Sequence, residues 1–128
     1  MPNKKKEIKI TFIGGGSLNW TPAILRDVIF KKGMERTNIN FRLLDIDAAR
    51  LKVIKKLFDY RLKDWGADWV RIDTFLDADQ AISGADFVII AISTGGLATM
   101  KHDLKIPEKY GIYHTVGDTA GPGGGQGR

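Results

Sequence analysis

The 128-residue chain reads as an α/β protein organised on a doubly wound parallel sheet. Three features carry that reading. Short β-branched or apolar runs alternate with segments whose apolar residues recur at helical spacing, the order expected of a parallel sheet with right-handed crossovers. One run, FVIIAI at 87–92, is apolar at every position, as a strand buried on both faces would be. A glycine knot in KITFIGGGSLNWTP, 9–22, stands where a first strand would turn into a first helix.

The elements follow in order. Residues 8–13, IKITFI, suit the first strand, being short, apolar and β-branched. Past the glycines, Thr21 is expected to cap a helix and Pro22 to sit in its first turn, where a missing N–H costs nothing. Ile24, Leu25, Val28 and Ile29 recur at helical spacing, and Gly33 is expected to end the run. INFRLLD, 39–45, is the second strand. Asp47 is placed to cap a longer helix with Leu51, Ile54, Leu57, Phe58, Leu62 and Trp65 along one stripe and Gly66 as its stop. WVRIDTF, 69–75, alternates polar and apolar residues as a third strand, DADQAISGAD holds a short helix, and FVIIAI is the fourth strand, expected mid-sheet. Residues 97–110 read as helix until Pro107 interrupts it. From Gly111 onward the sequence is loop-like and glycine-rich, and no repeat of solenoid period occurs.

Composition narrows the function classes. This length fits one domain, and 43% hydrophobic with 27% charged residues is ordinary for a globular protein. No window approaches the ~18 uninterrupted apolar residues of a membrane span. The basic start MPNKKKE leads into a strand bearing Lys and Thr, not into the apolar core of a secretory signal. With no Cys there is no disulfide framework, and a cytoplasmic location is the expectation. The net charge of +5 raises the question of nucleic acid. Lys4, Lys5 and Lys6 lie in the terminus, while Lys52, Lys55, Lys56, Arg61 and Lys63 alternate with Asp59 and Asp64, the pattern of a solvated helix face. No aromatic–basic stacking platform accompanies them, so neither nucleic acid nor a membrane is expected as a partner.

The glycine knot carries the candidate site. A helix that starts at the carboxyl end of a first parallel strand points free N–H groups and its positive dipole end at that spot, a setting that favours a pyrophosphate. Gly14 and Gly16 occupy the first two positions of a dinucleotide fingerprint, where a Cβ would obstruct the phosphate, and Ser17 adds a hydroxyl. Asn19 stands at the third position in place of Gly, so the pattern is incomplete. Asp45, at the end of the second strand, offers a carboxylate to both hydroxyls of an adenosine ribose. It follows Gly14 by 31 residues, against the usual ~20–25, a difference taken up by the first helix and the loop 33–38. No Arg follows Asp45 directly, and its charge would repel a 2′-phosphate, which favours NAD over NADP. The same residues also fit a purely structural turn with Asp45 as a solvated strand end. Ser93, Thr94, Gly95 and Gly96, after the fourth strand, could admit the nicotinamide half or form an ordinary loop.

Taken together, IGGGS, LLDID, ADFVIIAISTGGL and DLKIPEKYGIYHTVGDTAGPGG resemble the N-terminal region of the family 4 glycoside hydrolases, the NAD- and divalent-metal-dependent glycosidases, from about residue 8 to residue 124. The resemblance implies a Rossmann-type NAD-binding domain over 1–128, incomplete, with the catalytic C-terminal domain absent. It implies that NAD oxidises the sugar at C3, that the glycosidic oxygen then leaves by elimination, and that water adds back as the hydride returns, with a metal, usually manganese, polarising the sugar oxygens. Gly14, Gly16 and Ser17 are then the dinucleotide loop and Asp45 the ribose acceptor. Thr94 and Gly95 lie where the fourth strand meets the cofactor, and Asp118 and Thr119 are the polar candidates of a substrate loop. Family members often carry Gln where this chain has His114, which reads as a loop residue; His102 is the second histidine.

The family's metal ligands, a Cys and a His, and its proton-abstracting Tyr are expected downstream, so no metal ligand or catalytic residue is assigned here, and the 128 residues alone are expected to be inactive. The family continues after GPGG with an apolar helix where this chain reads GQGR, and the uncovered edge of FVIIAI likewise points to a partial domain of marginal stability. The GIYxxVGDTxGPGG wording leans toward unphosphorylated α-glycosides such as galacturonides or galactosides. The full-length enzyme is expected to be a homo-oligomer acting on a small-molecule glycoside. Two other readings stand beside this one: a non-catalytic nucleotide-binding fragment, and a lactate- or malate-dehydrogenase-like oxidoreductase, against which KYGIYHTVGDTAGPGG argues.

Overall fold

Among the described residues, four strands, β1 (Glu7–Ile13), β2 (Asn38–Leu44), β3 (Val70–Phe75) and β4 (Phe87–Ile90), form one parallel sheet in the order β3-β2-β1-β4. The structure is a computed structural model that describes residues 7–92 and 95–113. Its register sets Ile10 beside Phe41 and Phe87, and Phe41 beside Ile72. One face of the sheet is therefore an apolar row, while the two-residue period sends Thr11, Asn40 and Arg42 to the other.

Helices cover both faces, as the doubly wound reading requires. α1 (Trp20–Ile29) and α2 (Ala48–Asp64) bring Leu25, Ile29, Leu51, Ile54, Phe58 and Leu62 into one core with Ile10, Phe12, Ile39, Phe41, Leu43, Val70 and Ile72. Each large side chain so buried contributes about 1.5–3 kcal/mol. On the opposite face α3 (Ala78–Ile82) is fastened by polar contacts: the Thr11 hydroxyl donates to the Ala81 carbonyl at 2.6 Å, and the Arg42 guanidinium donates to the carbonyls of Gln80 and Ser83.

Local chemistry explains where the elements begin and end. Asp47 caps α2, its carboxylate accepting from the amides of Ala49 and Arg50 at 3.0 Å, and Gly66, with φ 62°, follows its end. Four of the six stripe residues are buried; Leu57 lies off the stripe at 41% exposure, and Trp65 closes the helix edge-on to Phe30 and Phe58. The charged side of α2 is solvated and internally paired, Lys55 with Asp59 at 2.8 Å and Arg61 with Asp64 at 3.9 Å.

Several boundaries differ from expectation. Thr21 is not a cap: Asn19 takes that position, and Thr21 lies in the first turn with its buried hydroxyl committed to a loop carbonyl. α1 stops at Ile29, and Gly33 (φ 93°) opens a 3₁₀ turn at Met34–Arg36 instead of ending the helix. β4 stops at Ile90 and is an edge strand among the described residues, with Phe87, Val88 and Ile90 exposed, because only β1 lies beside it.

The chain divides into two compact units, Met1–Ala91, which holds the sheet, and Ile92–Arg128, which holds α4 (Gly96–Glu108). α4 runs through Pro107 rather than breaking before it. Proline falls in the last turn, which closes with 3₁₀-type bonds from Lys109 to the Ile106 carbonyl and from Tyr110 to the Pro107 carbonyl.

Candidate cofactor site

The turn after β1 is built on the end of β2. The amides of Gly14 and Gly15 both donate to the Leu44 carbonyl at 2.9 Å, and the Ser17 amide closes back on the Gly14 carbonyl at 3.0 Å. Gly14 has φ 91°, a conformation that strains any residue with a Cβ. At Gly15 an added Cβ would lie 2.7 Å from Leu43 Cβ, and at Gly16 it would lie 2.8 Å from Asp45 Oδ2 and 3.0 Å from Arg50 Cβ. The sequence reading assigns the missing side chains to a phosphate's approach; the structure adds a reason within the protein, since the loop presses directly on β2 and α2.

That close approach fixes Asp45. Its Oδ2 accepts from the Gly16 amide at 2.9 Å and its Oδ1 from the Asp47 amide at 3.0 Å. Both oxygens keep a lone pair for a further donor. Asp45 is half-buried, so the carboxylate is oriented yet still reachable.

The head of α1 follows the glycine turn in the chain. Ser17 Oγ accepts from the Trp20 amide at 3.1 Å, which leaves its proton free to donate, and the Thr21 hydroxyl holds the Gly15 carbonyl at 2.9 Å. Among the described residues, no acceptor engages the amides of Leu18 and Asn19. Unengaged N–H groups at a helix start, with the dipole behind them, favour an anion.

Of the residues singled out from the sequence, the structure brings Gly14, Gly16, Ser17 and Asp45 together. Gly95 belongs to the second unit as the N-cap of α4, with φ 74°, and a Cβ there would collide with the Thr99 side chain, so its own helix start accounts for the glycine. Thr94, His114, Asp118 and Thr119 lie outside the described residues. His102 is exposed on α4. Among the described residues, no three His, Cys, Asp or Glu side chains gather where a metal ion could be held. The sequence reading missed Gly15, Thr21 as a loop anchor, and Arg50. The unbroken GGG run was a signal for the first; the other two depend on contacts made only in the fold.

A parallel sheet of this order, wound on both faces, with a glycine turn leading from its first strand to its first helix, defines a Rossmann-type α/β protein. The chain belongs to a particular family within that class, the family 4 glycosyl hydrolases, whose sequence profile matches residues 9–126. It is 37% identical over 122 residues to an alpha-galacturonidase of Thermoanaerobacter italicus, covering 95% of this chain and 25% of that protein. Among solved structures it resembles a 6-phospho-alpha-glucosidase from gut microorganisms in complex with NAD and glucose-6-phosphate, with TM-score 0.68 and 29% identity over 93% of this chain and 26% of that one. A 6-phospho-beta glucosidase of Thermotoga maritima, with manganese, NAD+ and glucose-6-phosphate, gives TM-score 0.70 and 27% identity over 91% of this chain and 27% of that one. The chain thus spans about a quarter of the length of the proteins it matches.

Proposed function

We propose that this chain is the NAD-binding part of a family 4 glycosidase, with the cofactor's pyrophosphate at the head of α1 and its adenosine ribose on Asp45. The observation that carries this reading is the Asp45 carboxylate, held by the Gly16 and Asp47 amides at the mouth of the glycine turn. In this reading the amides of Leu18 and Asn19 and the Ser17 hydroxyl donate to phosphate oxygens, while Asp45 accepts from the ribose hydroxyls. A fixed carboxylate there disfavours a 2′-phosphate, in keeping with the NAD held by the related phosphoglucosidases. Thr94 and Gly95 are assigned to the nicotinamide half, and Asp118 and Thr119 to the sugar side, on the family resemblance alone.

When bound, NAD supplies a reversible hydride acceptor, which the full-length enzyme is proposed to use in a cycle of oxidation, elimination and water addition at a sugar ring. Manganese, which accompanies NAD+ in the related 6-phospho-beta glucosidase, is proposed as the metal of the full-length enzyme, with its ligands supplied by residues other than these 128. An unphosphorylated α-glycoside is the preferred substrate class, supported by the alpha-galacturonidase relative. A cytoplasmic homo-oligomer completes the proposal; no helix among the described residues is long and apolar enough to cross a membrane.

The test is an NADH fluorescence titration of the chain and of Asp45→Ala. The variant is expected to bind severalfold more weakly. Unchanged affinity removes Asp45 from the site, and no binding by the parent chain at millimolar NADH removes the site itself.

A further inference from the structure

Resting on the NAD reading above, we propose that Arg50 governs cofactor selectivity together with Asp45: its guanidinium is a cation at the adenosine end of the site, able to receive a 2′-phosphate in part beside the Asp45 carboxylate and in full once that charge is gone. Arg50 stands five positions beyond Asp45 in the sequence, yet the fold brings it back to the same spot. The Asp47 cap starts α2 so that Arg50 falls in its first turn, and Arg50 Cβ packs 3.0 Å from where a Gly16 Cβ would lie. Gly16 is also the residue whose amide holds Asp45 Oδ2. Arg50, Gly16 and Asp45 therefore form one cluster at the carboxyl end of β2.

The guanidinium is steadied at one edge only. Nε lies 3.3 Å from Asp47 Oδ2, the side chain is 65% exposed, and Nη1 and Nη2 engage no partner among the described residues. A planar fork with two free nitrogens is the geometry that takes a phosphate in bidentate fashion. Two groups oppose it: Asp45 repels a 2′-phosphate directly, and Asp47 competes for Arg50. The balance therefore favours NAD only while the Asp45 carboxylate is charged and in place. Because Arg50 is solvated, its effect is expected to be moderate and to fade as salt is raised.

The experiment titrates NADH and NADPH, followed by cofactor fluorescence at low ionic strength, against the parent chain, Arg50→Ala, Asp45→Asn and the double variant. Asp45→Asn is expected to raise NADPH affinity relative to NADH about tenfold, and Arg50→Ala in that background to abolish the gain. In the parent background, Arg50→Ala is expected to weaken NADPH at least fivefold more than NADH. The proposal is overturned if Asp45→Asn brings no gain, if the double variant keeps the gain, or if Arg50→Ala weakens both dinucleotides equally. Should Asp45→Asn lose its far-ultraviolet circular dichroism, Arg50→Ala alone decides. A parent chain that binds NADH while these variants fail the pattern overturns only the role of Arg50; one that binds neither dinucleotide overturns the NAD reading as well.

Discussion

β2 and β4 invert what their compositions suggest. β2, NINFRLL, carries two asparagines and an arginine, yet Ile39, Asn40, Phe41 and Leu43 are each at most 2% exposed. β4, FVII, has no polar residue, yet Phe87 is 59% and Ile90 66% exposed. The difference lies in neighbours. β2 has strands on both sides, α1 and α2 over one face and α3 over the other, whereas β4 pairs with β1 alone among the described residues. Composition records what a strand can tolerate, and sheet order decides what it receives.

The sharpest way to break that comparison is to truncate the same side chain in each strand. Phe41 and Phe87 flank Ile10 from opposite sides in register. Phe41→Ala is expected to cost about 3–5 kcal/mol, enough to unfold a marginal domain. Phe87→Ala is expected to cost less than about 1 kcal/mol, since little surface returns to water. Urea titration followed by circular dichroism measures both; equal losses would mean that Phe87 is covered in solution.

β2 also serves as the floor on which the glycine turn rests, which gives a second, smaller test. Gly15→Ala would place a methyl against Leu43 Cα and Cβ at 2.9 and 2.7 Å, both in a central strand that cannot easily give way. A loss of about 1–3 kcal/mol is expected, with weaker NADH binding because Gly16 and Asp45 shift with the loop. Gly84→Ala is the contrast: Gly84 has positive φ, 71°, which Gly15 lacks, and its added Cβ meets only the end of Lys9 at 4.0 Å, so only the backbone strain of about 1 kcal/mol is expected. A loss at Gly15 no larger than at Gly84 would mean that the loop shifts away from Leu43 and that the press against β2 costs little.

What could be read from the sequence follows the same division between local and non-local causes. Strand and helix order was legible because each element's apolar period is a local signal, and the Asp47 cap was legible because its partners are two and three residues on. The start of α1 was not, because the Thr21 hydroxyl is drawn away by the Gly15 carbonyl, a loop contact that period and propensity do not encode. Gly14, Gly16, Ser17 and Asp45 were found through a motif that already describes a tertiary juxtaposition. Arg50 was passed over because the reading looked for a cation directly after Asp45, and only the first turn of α2 returns it to Gly16.

Asn40 offers the finest test, since it is the most buried polar departure in the better covered strand. It is 2% exposed, and its Oδ1 is buried without a hydrogen-bond partner among the described residues. An orphaned acceptor in a dry interior costs free energy, and a β-branched apolar residue suits a central strand. Asn40→Val is therefore expected to raise stability by about 1 kcal/mol, seen as a higher urea midpoint at unchanged slope. The substitution leaves the backbone ladder to β1 and β3 intact and lies on the face opposite Phe41, so the main core stays as it is. A lower midpoint would mean that the α3 face has no room for the branched methyls or that the amide interacts favourably there. In either case the polar content of β2 would be a requirement of its position, and the contrast with β4 would extend from burial to the chemistry each face demands.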